Sequence, residues 1–209
     1  MENSPSTKER LLNAACEIFA EKGFRDATVS EICEKAEANI AAVNYHFGDK
    51  ESLYDRVWRH AFDIAVAAHP LDGDALDADA SAEELLYSYA SALLHRIFSE
   101  TETGLFAKLL FREMAAPTLA LDRIANEALL PQTRYLDHAV RQVLGENISE
   151  QQLWACKHSI IGQCAFFNFS RPLRERVIGK KGMNEDEIIR TARHIARFSL
   201  GGLTEIQKG

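Results

Sequence analysis

Between Ala38 and Gly48 the chain carries no Asp or Glu, although acids outnumber bases 31 to 24 over its 209 residues. The side chains there are small or neutral and polar: Asn39, Ile40, Ala41, Ala42, Asn44, Tyr45 and His46, with Lys50 just beyond. Such a set suits a nucleic-acid groove. A carboxamide such as Asn39 or Asn44 can pair with an adenine edge through one donor and one acceptor, and an alanine methyl can touch a thymine methyl. The Tyr45 hydroxyl, the His46 imidazole, the Lys50 ammonium and the free N–H groups of a helix start suit phosphate oxygens. A formal charge of −7 excludes a basic, non-specific nucleic-acid coat. It does not exclude a sequence reader whose contact face is free of acids. The same neutral face also suits a protein partner, so these residues alone leave a DNA reader and a protein-interaction module both open.

Other chemistries fare worse. Cys156 and His158 are two residues apart, which on a helix sets them on different sides, and Cys16, Cys33, Cys156 and Cys164 show no CxxC spacing. No metal site and no cofactor are expected. There is no GxSxG nucleophile elbow, and Gly179-Lys180-Lys181-Gly182 lacks the phosphate-loop pattern and reads as a basic turn. The enzyme alternative, a small helical hydrolase using His158 and a carboxylate, has the least support, and the protein is expected not to be an enzyme. No apolar run of about 18 residues and no export signal are visible, so a cytoplasmic protein with reduced thiols and no membrane partner is expected.

The elements that must position the acid-free stretch are helices. Ser, Thr or Asn followed three residues on by Glu or Gln is the signature of a capping box. It occurs at Ser6–Glu9, Thr28–Glu31, Ser81–Glu84, Ser149–Gln152 and Asn184–Glu187, each ahead of an apolar helical periodicity. The spacing predicts a first helix over Thr7–Lys22, stopped by Gly23. A short pair follows, Val29–Ala36 and Ile40–His46, joined at Glu37-Ala38 and capped at Asn39. This is a helix-turn-helix, with Ile32, Val43, Phe19 and Phe47 beneath it. Asp49 caps a long helix that ends at His69-Pro70, and residues 69–80, rich in Asp, read as an acidic loop. Further helices follow between Ala82 and Leu144, punctuated near Gly104, Pro117 and Pro131. Two late helices, Glu150–Phe169 and Glu185–Leu203, are apolar over much of their surface and need covering. Their stripes, Leu153, Cys156, Ile160, Cys164 and Phe167, and Ile188, Ala192, Ile195 and Ser199, are the expected dimer face.

The residues around the short pair carry a resemblance. Phe19-Ala20-Glu21-Lys22-Gly23-Phe24, Ala27-Thr28-Val29 and Tyr45-His46-Phe47-Gly48-Asp49-Lys50-Glu51-Ser52-Leu53 resemble the DNA-binding domain of the TetR family of transcriptional regulators. The likeness spans about residues 7–58. It implies an all-α homodimer whose first three helices bind DNA and whose C-terminal bundle binds a small inducer. It implies a phosphate contact and a helix cap for Thr28, phosphate contacts for Tyr45, His46 and Lys50, and a recognition helix over Asn39–Asn44. The family has Gly at the turn where this chain has Glu37, which predicts backbone strain there. The C-terminal half is similar to the CecR branch through Gly162-Gln163-Cys164 and His194-Ile195-Ala196-Arg197-Phe198-Ser199-Leu200.

The expectation is therefore an all-α chain with an N-terminal three-helix helix-turn-helix domain at 1–50. A C-terminal helical bundle follows at 51–209, with residues 51–68 as the connecting helix and two late helices as the dimerisation face. Its partners are an operator duplex, a small-molecule effector and a second copy, and its action is that of a repressor released by ligand. Candidate ligand residues are His95, Phe98, Phe106, Leu110, Arg112, Met114, His158, Gln163 and Phe166, an apolar set with a few polar anchors.

Overall fold

The computed structural model describes residues 5–71, 79–179 and 182–208. Most of the expected acidic loop, and the Lys180-Lys181 part of the basic turn, lie outside the described residues. Among the described residues there is no strand. The N-terminal helices are α1 (Thr7–Asp26), α2 (Val29–Lys35), α3 (Ile40–Phe47) and α4 (Lys50–Ala68). They are followed by α5 (Ala82–Phe98), α6 (Leu105–Ala115), α7 (Ala120–Ile124) and α8 (Leu130–Leu144). The chain closes with α9 (Glu150–Phe169), α10 (Arg171–Ile178) and α11 (Glu185–Gln207). A 3₁₀ turn, Glu102–Gly104, leads into α6.

The caps set the starts. Ser6, Thr28, Ser81 and Asn184 each accept from the third helical N–H, while the acid three residues on accepts from the cap's own N–H. Ser149 makes only the forward bond, to the Gln152 N–H. Asp49 Oδ1 accepts from the Ser52 N–H at 2.7 Å. Gly23 breaks α1 as expected, with φ 79°, but the chain winds on to Asp26 because the Ala27 N–H still reaches the Gly23 carbonyl at 3.3 Å.

The helices gather into two compact units. One is Met1–Ala68 with Glu100–Ala128, and the other is His69–Ser99 with Leu129–Gly209. These units do not coincide with the expected segments 1–50 and 51–209, because α6 returns to pack on α1 and α4. In the first unit Leu11, Phe19, Ile32, Val43, Leu53, Trp58 and Leu109 are buried. The Phe19 ring meets Tyr54 edge-on at 4.9 Å. The Tyr54 hydroxyl donates to the buried Glu113 carboxylate at 2.9 Å, and the Thr118 N–H and hydroxyl donate to its other oxygen. Burial, then the Glu113 bond, pushes the Tyr54 phenol above its usual range.

In the second unit α5 packs on α11, α8 and α9 over Leu86, Tyr89, Leu136, Val140, Leu153, Ile160 and Leu203. The residues of the expected dimer face have neighbours within the chain itself, and Cys156, Ile160 and Ser199 among them also line a groove between α9 and α11. Leu153, Cys156, Ile160, Cys164, Ile188, Ala192, Ile195 and Ser199 are buried within this chain, and Phe167 is half-buried. They cover α5 and α8. The large exposed apolar side chains of the same two helices are Trp154, Phe166, Phe169, Phe198 and Ile206.

Candidate nucleic-acid interface

The short pair α2–α3 forms where the sequence places it. Ile32, Ala36, Val43 and Phe47 are buried, so each helix has an inner side fixed by packing on its neighbours and on α1. Between the helices the chain reverses at Glu37, whose φ of 49° is the left-handed conformation that side chains resist. The turn is held by the Ala38 N–H donating to the Cys33 carbonyl at 2.9 Å. Relief of the left-handed strain, about 1–2 kcal/mol, exceeds the extra chain entropy of glycine, about 0.4–1 kcal/mol. Glu37→Gly should therefore raise stability by roughly 0.5–1 kcal/mol in urea unfolding, with no change in the fold; a loss of stability would contradict the strain.

The packing leaves Asn39, Ile40, Ala41, Asn44 and Tyr45 exposed, with Tyr45 at 85 %. Ala42 is partly buried and His46 is half-buried with its ring edge-on to Tyr45 at 4.9 Å. Asn39 Oδ1 is committed to the Ala42 N–H at 2.9 Å, which leaves its amide N–H groups to donate outward. Asn44 forms no hydrogen bond through its side chain among the described residues, so both halves of its amide face outward unspent.

Two further candidates are more constrained. Thr28 donates its hydroxyl to Glu31 Oε2 at 2.9 Å and its N–H to the same oxygen at 3.0 Å. Both donors are held in the cap, so a phosphate would have to take one from Glu31. The Lys22 ammonium also bonds Glu31, and this bond, followed by the Thr28 bonds, pulls that carboxyl down to about 2. Lys50 is half-buried, its ammonium 4.6 Å from the Phe24 ring centre and 3.5 Å from the Arg25 carbonyl. Phe24 thus steers the lysine, a role not read from sequence although the Lys-Gly-Phe run puts the ring just after a helix break.

The ligand candidates are less gathered. Phe106, Leu110, Arg112 and Met114 belong to the first unit, and His95, Phe98, His158, Gln163 and Phe166 to the second. Phe98 and Phe106 are core residues, whereas Met114, His158 and Phe166 are exposed. Arg112 donates to the Glu21 carbonyl at 2.6 Å. His95 lies between the Ser91 carbonyl, 2.7 Å from Nδ1, and the Glu185 carboxylate, 3.0 Å from Nε2. His158 stacks on Trp154 at 3.6 Å, and Gln163 donates to the Ser199 hydroxyl at 3.1 Å. Among the described residues no group of three or more His, Cys, Asp or Glu side chains could hold a metal ion. No helix of them is long and apolar enough to cross a membrane.

Residues 11–57 match the family described as bacterial regulatory proteins, tetR family. Residues 82–203, more than half of the chain, match the C-terminal domain of the HTH-type transcriptional dual regulator CecR. The CecR regulator of Shigella flexneri is 26% identical over 171 residues, covering 78% of this chain and 76% of that protein. The HTH-type transcriptional regulator SrpR of Pseudomonas putida is 26% identical over 147 residues, covering 70% of this chain and 63% of that protein. Among solved structures, a TetR-like regulator from Rhodococcus sp. RHA1 superposes with a TM-score of 0.66 at 16% identity, covering 96% of this chain and all of that one. FadR of Bacillus subtilis, solved with stearoyl-CoA, superposes with a TM-score of 0.68 at 16% identity, covering 92% and 97%. These matches are to transcriptional regulators rather than enzymes. With the exposed acid-free face of α3 in its N-terminal part and a CecR-type match over residues 82–203, the chain belongs to the TetR family of DNA-binding transcriptional regulators.

Proposed function

We propose that the protein acts as a homodimeric, cytoplasmic repressor that leaves a palindromic operator when a small molecule binds. The observation that carries the DNA half is the outward set Asn39, Ile40, Ala41, Asn44 and Tyr45, exposed and free of carboxylates. Two such helices, presented by a two-fold pair, enter successive major grooves about 34–36 Å apart. Asn44 and the alanine methyls read base edges, while Tyr45, His46, Lys50 and the start of α2 at Thr28 meet phosphates. Residues 1–50 form the functional DNA-binding segment and α4 the connection to the rest. The test is selection from random duplexes followed by a gel shift at low salt. A palindrome retarded by the protein is expected, and a folded protein that retards no duplex contradicts the reading.

For the second copy, the supporting observation is the exposed apolar side of α9 and α11. Trp154, Phe166 and Phe198 are each more than half exposed, and between the helices runs a groove of about 300 Å³ whose lining includes Cys156, Ile160 and Ser199 of the expected stripes with Ser159, Gly202 and Ile206. A cluster of large exposed apolar side chains marks an interaction surface. A self-complementary one closes as a pair, each copy filling the other's groove. Phe198→Arg places a charge there without touching the core. Light scattering after gel filtration should give twice the chain mass for the parent and a single chain mass for the variant, with operator affinity falling at least tenfold. A variant that stays paired contradicts this face.

The effector reading rests on the family and on candidates in each unit, Arg112 with Phe106, Leu110 and Met114 in the first, and His95, His158 and Gln163 with Phe98 and Phe166 in the second. A solved neighbour of the same fold holds an acyl-CoA. Release requires that the ligand favour the DNA-incompetent arrangement, typically by about 1–3 kcal/mol.

A further inference from the structure

The first unit holds a second feature that DNA reading does not use. A cavity of about 420 Å³ lies between α1, α4 and the 3₁₀ turn leading into α6, within the size range of small-molecule sites. Its inner wall is apolar: Cys16 is 1 % exposed, and Ile64 and Leu105 are half-buried. The rest of its lining is polar: Asn13, His60 and Thr101, with Glu17, Glu100 and Glu102 against a single lysine, Lys108. That lysine sits 4.0 Å from Glu100, so those two charges offset each other, and Glu17 is paired with Lys35 at 2.6 Å. The Glu102 carboxylate has no hydrogen bond or ion pair among the described residues; its carbonyl accepts from the Leu105 N–H. Its field nevertheless reaches the inner wall: burial pushes the Cys16 thiol up to about 12, and the charges of Glu102 and Glu17 add to that rise. A cleft with low-dielectric walls and an excess of one sign of charge concentrates the opposite sign.

We propose that this cavity binds an amphipathic organic cation, its apolar body against Cys16, Ile64 and Leu105 and its positive centre facing Glu102. The site shares no residue with the effector set above and is built from the first unit alone. It stands whether or not that effector reading holds. Because α1, α4 and the start of α6 all line it, an occupant holds these elements together and slows hydrogen exchange over residues 13–17 and 102–108.

The test is calorimetric titration of the full chain, without DNA, using tetraphenylphosphonium and its anionic counterpart of the same shape, tetraphenylborate. The phosphonium is expected to bind one per chain and at least tenfold more tightly than the borate. Glu102→Gln, an exposed change that leaves packing alone, should weaken it by about tenfold, the scale of one lost charged contact. Ile64→Trp, which fills the cavity, should abolish it while the melting temperature shows the chain still folded. Equal binding of the two ions, preference for the borate, indifference to Glu102→Gln, or no heat with millimolar phosphonium would each overturn the proposal.

Discussion

Asn44→Asp reduces operator affinity by about 100-fold or more at low salt, the scale of a like charge forced against a charged partner. The substitution is nearly isosteric. Asn44 is exposed on α3 and its side chain makes no hydrogen bond within the described chain, so no side-chain bond is lost, and an acid in the last turn of α3 costs the fold at most about 1 kcal/mol. On the duplex it turns a donor–acceptor pair into two acceptors with a full negative charge. An adenine edge then faces an acceptor where it needs one, but lacks a donor for its N7. The new charge also sits between two rows of phosphates, in a stretch, 38–48, that otherwise carries no acid. Fluorescence anisotropy with the selected operator reads the effect, and unchanged circular dichroism shows that the helix survives. Parent-like affinity in the variant would mean that this face of α3 does not meet the duplex.

The largest effect on stability belongs to Phe19→Ala, which should cost about 3–5 kcal/mol. Phe19 is fully buried and meets Tyr54 edge-on at 4.9 Å and Phe24 at 6.2 Å. Removing the ring leaves a void beneath α4 and beside the platform on which Lys50 rests. The neighbours cannot close it freely, since the Tyr54 hydroxyl is anchored to the buried Glu113 carboxylate. At roughly 2–4 °C per kcal/mol for a chain of this size, the melting temperature should fall by about 6–20 °C. Operator binding should fail at the temperature where the first unit opens, not before. A fall of less than about 1 kcal/mol would show that the site collapses around the gap.

Much of this architecture was legible because local chemistry set it. Ser6, Thr28, Ser81 and Asn184 announce helix starts through bonds that span only three residues, so sequence and structure agree there. The strained Glu37 was visible for the same reason, since a two-helix turn needs one left-handed residue. What depended on distant neighbours was not visible. Periodicity finds the stripe Leu153, Cys156, Ile160 and Cys164 but does not say which elements pack on it; within the chain α5, α8 and α11 pack on α9. The return of residues 100–128 to α1 and α4 is likewise a long-range event. Helix α10 was missed because Leu173, Val177 and Ile178 are all exposed, so it has no core-facing stripe. Its local signals were Pro172 in the first turn and Gly179, with φ 74°, at the end. Thr28 shows a different limit: its residue type suits a phosphate, but its hydroxyl is already spent on Glu31.

The most direct measurement is a table of binding energies for the selected operator changed one base pair at a time, taken for the parent, Asn44→Ala and Lys50→Ala at several salt concentrations. Asn44→Ala is expected to lose preference at one base pair in each half-site, about 1–3 kcal/mol, with the others unchanged. Lys50→Ala should keep every preference and flatten the salt slope by about 0.9. If Asn44→Ala weakened all sequences alike, or Lys50→Ala shifted base preference at constant slope, α3 would not be the element that reads the groove.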